Sequence, residues 1–204
     1  MIKVGGAGMR IGILGGTFNP IHYGHLFIAS EVRDRLKLDK VIFVPAGKAP
    51  HKKVKGANPD ERYEMVSLAI EGNSSFEVSP MEIEKSKLID RPTFTLETIE
   101  GFIKIYGKRA KIYFIVGLDE MLKISTWKEP KKLLELSKFV VVTRPGYELG
   151  KLDKRIASKV IVVQVPGLEI SASDIRKRIK DGKPIRYLLP QSVEEYIREK
   201  RLYS

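Results

Sequence analysis

Short apolar runs alternate with amphipathic stretches along most of this 204-residue chain. Ile11-Gly12-Ile13-Leu14 is the first run, and Gly15-Gly16 ends it, which predicts a buried strand meeting a tight turn. Residues 24–36 carry Leu26, Ile28, Ala29, Val32 and Leu36 at helical spacing. Val41 to Val44 read as a second strand, stopped by Pro45. Pro59 opens a predicted helix through Ile70, with Met65, Val66, Leu68 and Ala69 turned inward. A weaker strand follows near 76–78, then a helix over 95–106 and a strand over 111–116 that ends at Gly117. The pattern continues with a helix over 130–136 and a strand over 139–142 that gives way to Thr143-Arg144-Pro145-Gly146. The last strand spans 160–165, and helices over 173–180 and 192–200 close the chain. Two connections read as long loops: 46–58, rich in lysine and glycine, and 79–93.

Strands that alternate with helices imply a parallel sheet covered on both faces. The expected architecture is therefore α/β: a doubly wound parallel sheet with helices on both faces and a small helical C-terminal part over 169–204. Ligands of such folds bind beyond the carboxyl ends of the strands, where both long loops begin. Residues 1–8 hold three glycines and no periodicity, so they are expected to form a disordered leader, with either Met1 or Met9 as the start. Residues 9–204 are expected to form a single domain.

Composition narrows the classes. The chain has no cysteine, which excludes disulfides, thiolate metal sites and thiol nucleophiles. No run has the length of a membrane span and no signal peptide opens the chain, so a cytoplasmic protein without a membrane partner is expected. A formal charge of +12 can attract nucleic acid, anionic lipid or phosphorylated metabolites. The lysines and arginines are spread along the chain without an aromatic-interleaved patch, so nucleic acid is not the expected partner. Asn19, Asn58, Asn73, Gln164 and Gln191 are the only side-chain amides, and 30% of residues are charged, a pattern that suggests a heat-adapted source.

The segment from Gly15 to Leu26, G-G-T-F-N-P-I-H-Y-G-H-L, gathers the most chemistry. Two glycines let backbone N–H groups approach an anion closely. His22 and His25 lie three apart at the start of a helix, so both imidazoles can point the same way, and Gly24 between them leaves room for a ligand. Backbone donors, a helix dipole and two imidazoles at one strand end suit a polyphosphate. Far along the chain, Ile170-Ser171-Ala172-Ser173-Asp174-Ile175-Arg176 offers a second anion site, with Ser171 or Ser173 as N-cap and Arg176 in the first turn.

These two segments resemble the signatures of the nucleotidyltransferase superfamily: (H/T)-x-G-H after the first strand of a Rossmann-like domain, and I-S-x-x-x-I-R. The resemblance implies that His22 and His25 bind ATP phosphates and that His25 stabilises charge developing at the α-phosphate. It assigns Ser171 and Arg176 to the β- and γ-phosphates. Gly117-Leu118-Asp119, Ser125-Thr126-Trp127-Lys128, Asp90-Arg91-Pro92-Thr93-Phe94-Thr95 and the tail Tyr187-Leu188-Leu189-Pro190 with Val193 and Tyr196-Ile197 resemble, more narrowly, the bacterial nicotinate mononucleotide adenylyltransferases. This resemblance covers the chain from Met9. It implies an ATP site drawn from Gly15, Gly16, Thr17, Phe18, His22, His25, Gly117, Asp119, Ile170, Ser171 and Arg176. Trp127 is expected to stack on the pyridine ring, with Thr93, Phe94 and Thr95 around its carboxylate. Lys48, His51 and Lys52 are candidates for the phosphate of nicotinate mononucleotide.

The implied reaction transfers the adenylyl group of ATP to nicotinate mononucleotide in NAD biosynthesis, releasing pyrophosphate, with Mg²⁺ arriving on ATP rather than in a protein-built metal site. Self-association of the chain stays open. A phosphopantetheine-directed transferase of the same superfamily also fits both signatures. A nucleic-acid-binding module would leave the histidine pair unexplained, and a class I aminoacyl-tRNA synthetase would be longer and carry a K-M-S-K-S-like loop.

Overall fold

The computed structural model describes residues 8–48, 56–89, 91–143, 150 and 152–204. Its strands are β1 (Arg10–Gly16), β2 (Lys40–Pro45), β3 (Phe76–Val78), β4 (Lys111–Gly117), β5 (Lys138–Thr143) and β6 (Val160–Gln164). They form one six-stranded sheet in the order β3-β2-β1-β4-β5-β6. Parallel ladders join β1 to β4 with Ile13 beside Phe114, β4 to β5 with Ile115 beside Val140, and β5 to β6 with Val141 beside Val162. This is the expected doubly wound, Rossmann-like α/β sheet, and its order reverses between β1 and β4.

The helices are α1 (Tyr23–Arg35), α2 (Pro59–Ile70), α3 (Met81–Leu88), α4 (Thr95–Tyr106), α5 (Leu118–Met121), α6 (Pro130–Leu136), α7 (Lys154–Ala157), α8 (Ala172–Lys180) and α9 (Gln191–Glu199). A 3₁₀ turn spans Ile124–Thr126. None is long and apolar enough to cross a membrane among the described residues.

The chain divides into two compact units. The first comprises Met1–Leu14, Glu31–Ile42 and Phe94–Gly167, and the second Gly15–Ser30, Phe43–Thr93 and Leu168–Ser204. In the first, the fully buried Ile11, Ile13, Phe139, Val140 and Val141 make the sheet's core. Gly12 is required there by packing. A β-carbon on it would stand 2.9 Å from Leu38 and 3.2 Å from Val41 and Ile115. Helix α4 buries Leu96, Ile99 and Phe102, and Lys132 of α6 pairs with Glu100 at 2.8 Å.

In the second unit, α2 starts where Asn58 and Glu61 cap each other's backbone N–H groups in a reciprocal box, with Pro59 in the first turn. Its inward side differs from expectation. Met65, Val66 and Ile70 are buried, Leu68 and Ala69 only half-buried, and Arg62 is the largest fully buried side chain among the described residues. From α9, Val193 and Ile197 are buried and the Ser192 hydroxyl donates to the Leu68 carbonyl at 3.1 Å.

The stretch 79–93, expected as loop, contains α3. Only Ile83 of that helix is buried, so its apolar stripe is one residue wide and gives no periodic signal. Helices α5 and α7 and the 3₁₀ turn span one turn or less, too short for a hydrophobic period to register. The other predicted elements stand within two residues of their expected limits. Of the leader expected over 1–8, residues 1–7 lie outside the described residues.

Candidate active site

The candidate site in the second unit begins at the end of β1, where Gly15 and Gly16 continue the strand instead of forming the tight turn expected there. Gly15 is exposed, and a β-carbon on Gly16 would lie 2.9 Å from the Phe18 ring. Phe18 itself has φ 48°, the left-handed region that disfavours a β-carbon. Its ring is 2% exposed, edge-on to His25 at 5.0 Å and tilted against Phe43 at 5.8 Å. What Phe18 can present to a ligand is therefore its backbone.

His22 and His25 meet as expected. Their rings stack with centroids 3.8 Å apart at 29°. The His22 carbonyl accepts from the N–H groups of His25 at 2.9 Å and Leu26 at 3.4 Å, which seats both residues at the entry of α1. The His22 N–H donates to His25 Nδ1 at 3.3 Å. A ring nitrogen that accepts carries no proton, so neutral His25 keeps its proton on Nε2. Burial, then the neighbouring His22, holds His25 well below the usual histidine pKa, so the ring is neutral near pH 7. Gly24 corrects an expectation. A β-carbon there would lie 3.0 Å from His22 Nδ1 and 3.7 Å from the Ile170 carbonyl. The missing side chain makes room for His22 itself rather than for a ligand against the backbone.

Ser171 is the N-cap of α8; its hydroxyl accepts from the Asp174 N–H at 3.1 Å and lies 3.1 Å from the Ser173 hydroxyl. Ser173 lies inside the helix, and Arg176 stands just beyond the first turn rather than within it. From there its guanidinium donates to the Asn19 carbonyl at 2.6 Å. Arg176 is thus joined to the histidine-bearing segment across 157 residues of chain.

Three residues that the sequence did not single out complete this cluster. Arg62 donates to the carbonyls of Thr17 at 2.7 Å, Ala46 at 2.5 Å and Gly47 at 3.1 Å, so one guanidinium ties the turn after β1 to the turn after β2. Burial lowers its pKa. The Asn19 side chain accepts from the Tyr203 hydroxyl at 2.6 Å and from the Ala57 N–H at 3.3 Å. A charged residue at an apolar position of α2 was a usable signal for Arg62. Nothing local marks Tyr203.

Lys48 is exposed, at the point where the chain passes from Gly47, which packs on Glu82 and Ser86 of α3. His51 and Lys52 lie outside the described residues. Thr93 is 6% exposed, and its hydroxyl has no hydrogen-bond partner among the described residues.

The first unit carries the other expected residues. Gly117 ends β4 and precedes α5, in which Asp119 is exposed. Trp127 is half-buried, edge-on to Phe114 at 6.2 Å and tilted against Phe139 at 6.2 Å, so part of the indole joins the core. Phe94 is the N-cap position of α4 and Thr95 its first residue; no side chain caps this helix. The Lys128 ammonium lies 4.8 Å from the centroid of the Phe94 ring, a cation–π contact that brings a positive charge beside that helix start.

A strand ending in two glycines, a stacked histidine pair and a capped helix bearing a guanidinium, on a doubly wound sheet, are features that fit a nucleotidyltransferase-type site. Residues 13–178 match the cytidylyltransferase-like family model, and the chain belongs to that family. Within this class it belongs to the nicotinate-nucleotide adenylyltransferase family. It is 49% identical to a probable nicotinate-nucleotide adenylyltransferase of Thermoanaerobacter sp. (strain X514), covering 96% of this chain and 95% of the relative. A protein of the same name from Moorella thermoacetica (strain ATCC 39073 / JCM 9320) is 45% identical over 95% of this chain and 91% of its own. The fold resembles that of Plasmodium falciparum nicotinic acid mononucleotide adenylyltransferase complexed with NaAD, with a TM-score of 0.78. That pair is 21% identical, covering 96% and 97% of the two chains.

Proposed function

We infer that this chain is an enzyme that transfers the adenylyl group of ATP to nicotinate mononucleotide, giving nicotinate adenine dinucleotide and pyrophosphate, in NAD biosynthesis. The observation that carries the reading is the stacked His22–His25 pair just after the glycine-ended β1, in a chain 49% identical to a relative of that name over nearly its full length. An oxygen of the mononucleotide phosphate attacks the α-phosphorus of ATP. The new P–O bond forms as the bond to the bridging α–β oxygen breaks, and its electron pair leaves on pyrophosphate. The attacking phosphate is already largely ionised at neutral pH, so no strong general base is required. Positioning and charge stabilisation make up most of the work in such transfers.

The roles follow from the chemistry of each group. Backbone N–H groups of Gly15 to Phe18 face the triphosphate, and His22 binds it in the ground state. His25, neutral with Nε2–H free to donate, stabilises charge developing at the α-phosphate. Ser171 and Arg176 hold the β- and γ-phosphates at the start of α8. Gly117 and Asp119 take the ATP ribose, Trp127 the pyridine ring, Thr93, Phe94 and Thr95 its carboxylate, and Lys48, His51 and Lys52 the mononucleotide phosphate.

Among the described residues no three histidine or carboxylate groups cluster as metal ligands. The Mg²⁺ ion expected with ATP would be held by phosphate oxygens and water, a donor set that suits this hard cation. When bound it offsets triphosphate charge, and no residue of this chain is assigned to it.

The test is pyrophosphate release from ATP with nicotinate mononucleotide, its nicotinamide analogue and phosphopantetheine offered in turn. Release with the nicotinate substrate supports the reading. Release with phosphopantetheine alone would move the enzyme elsewhere in the superfamily.

A further inference from the structure

Asn19 stands where four segments of the second unit meet. Its Oδ1 accepts from Tyr203 and from Ala57, while its backbone carbonyl accepts from Arg176. Asn19 is 6% exposed. Tyr203 reaches it from the far end of the sequence, 184 residues away. The Tyr203 ring lies over Gly56: a β-carbon there would come within 2.6 Å of Cε1, and Gly56 has φ +121°. Tyr203 also adopts a left-handed φ of 67°, a conformation that persists only where surrounding contacts hold it. Burial pushes its phenol far above the ordinary tyrosine range, so the hydroxyl stays a donor at any working pH.

We propose that Tyr203 is a positioning residue for the phosphate-facing turn: its hydroxyl fixes the Asn19 side chain, and the Asn19 carbonyl in turn orients the Arg176 guanidinium. Without the hydroxyl, Oδ1 loses the shorter of its bonds from Tyr203 and Ala57, and the amide is held less tightly. The carbonyl that steers Arg176 then loses its fixed direction, although Arg176 itself is unchanged. Tyr203 thereby influences ATP affinity without touching ATP. The proposal rests on the reading of Arg176 as a ligand of the ATP phosphates.

Tyr203→Phe removes one oxygen and keeps the ring on Gly56. Steady-state kinetics should show the KM for ATP raised about 3–10-fold, the range for one net hydrogen bond. The KM for nicotinate mononucleotide should stay within about twofold of wild type, and Tm nearly unchanged, since one exchanged hydrogen bond is a small part of a domain's stability. In an Asn19→Ala background the Tyr203→Phe substitution should have no further effect on the ATP KM, because the coupling runs through that side chain. Tyr196→Phe, another half-buried phenol, serves as a control that leaves the ATP KM unchanged. An ATP KM unchanged in Tyr203→Phe overturns the proposal, whatever happens to kcat. So do a parallel rise of both KM values with a fallen Tm, or losses that add in the double variant. If wild-type protein releases no pyrophosphate with any acceptor, the underlying functional reading fails instead.

Discussion

The two histidines are chemically unequal although they stack on each other. His25 Nδ1 accepts from the His22 backbone, which leaves Nε2–H as the one polar hydrogen the neutral ring can offer outward. A donor that meets developing charge acts in the transition state, so His25→Ala should lower kcat by about 10²–10³-fold with a modest change in KM. Turnover within threefold of wild type would take His25 out of the chemistry. The lowered pKa of His25, caused by burial and then by His22, also has a consequence for stability. In the unfolded chain this ring titrates near pH 6.5. As pH falls below that value the unfolded state binds a proton that the folded ring refuses, so folding loses stability toward acid. The contribution is fully present above about pH 6.5 and fades below it. Ligand-free wild type should therefore lose more Tm between pH 7.5 and 5.5 than His25→Gln does. Parallel losses in the two proteins would show that the ring titrates normally in the fold.

At the scale of elements, the proposed roles make the start of α4 and the turn bearing Trp127 the determinants of substrate choice. Carboxylate and carboxamide differ little in size, so an apolar pocket separates them poorly. A helix start with no side-chain cap presents N–H donors, and an amide NH₂ placed against them leaves buried polar groups unpaired. Wild type should prefer nicotinate over nicotinamide mononucleotide by about 10²–10⁴ in kcat/KM, in the range of sites built on fixed donors. Stacking serves both rings alike, so Trp127→Ala should raise both KM values and leave that ratio nearly constant. Assaying both substrates with both proteins decides it; equal efficiencies in wild type would remove the donor site. Because Trp127 also packs on Phe114 and Phe139, its Tm must be measured beside the kinetics.

These elements also show what local pattern can reveal. Helices α2, α4 and α6 and strand β3 lie where the sequence placed them, because proline starts, stripes at helical spacing and the apolar–polar alternation of Phe76-Glu77-Val78 are local signals. Helix α3 escaped because one buried isoleucine in eight residues makes no period. Phe18 shows the same limit within the site. Its motif position was legible, but a left-handed backbone that turns the ring into the core beside His25 was not.

Across the whole molecule, charge is abundant and side-chain amides are scarce. Exposed pairs such as Arg35–Glu31, Lys132–Glu100 and Arg198–Glu194, each between 2.7 and 2.8 Å, contribute little individually at room temperature. Their desolvation penalty falls on heating, so they count for more when hot. A melting midpoint above about 65 °C, the upper end of the usual mesophilic range, is expected in calorimetry. A midpoint inside that range would remove the heat-adapted reading.

The sequence by itself determined the α/β alternation, the glycine pair at the end of the first strand, the histidine pair at a helix entry and a serine cap for α8, with Ser171 and Ser173 as the two candidates. Each is set by residues within a few positions of one another, where spacing alone constrains geometry. Tertiary structure alone decided that Arg62 is enclosed among three carbonyls, that Arg176 is tied to Asn19, and that Tyr203 closes on the same asparagine. Those contacts join residues between 15 and 184 positions apart. The cost of burying each polar group is offset only by a partner that folding delivers, and no local pattern records which partner that is.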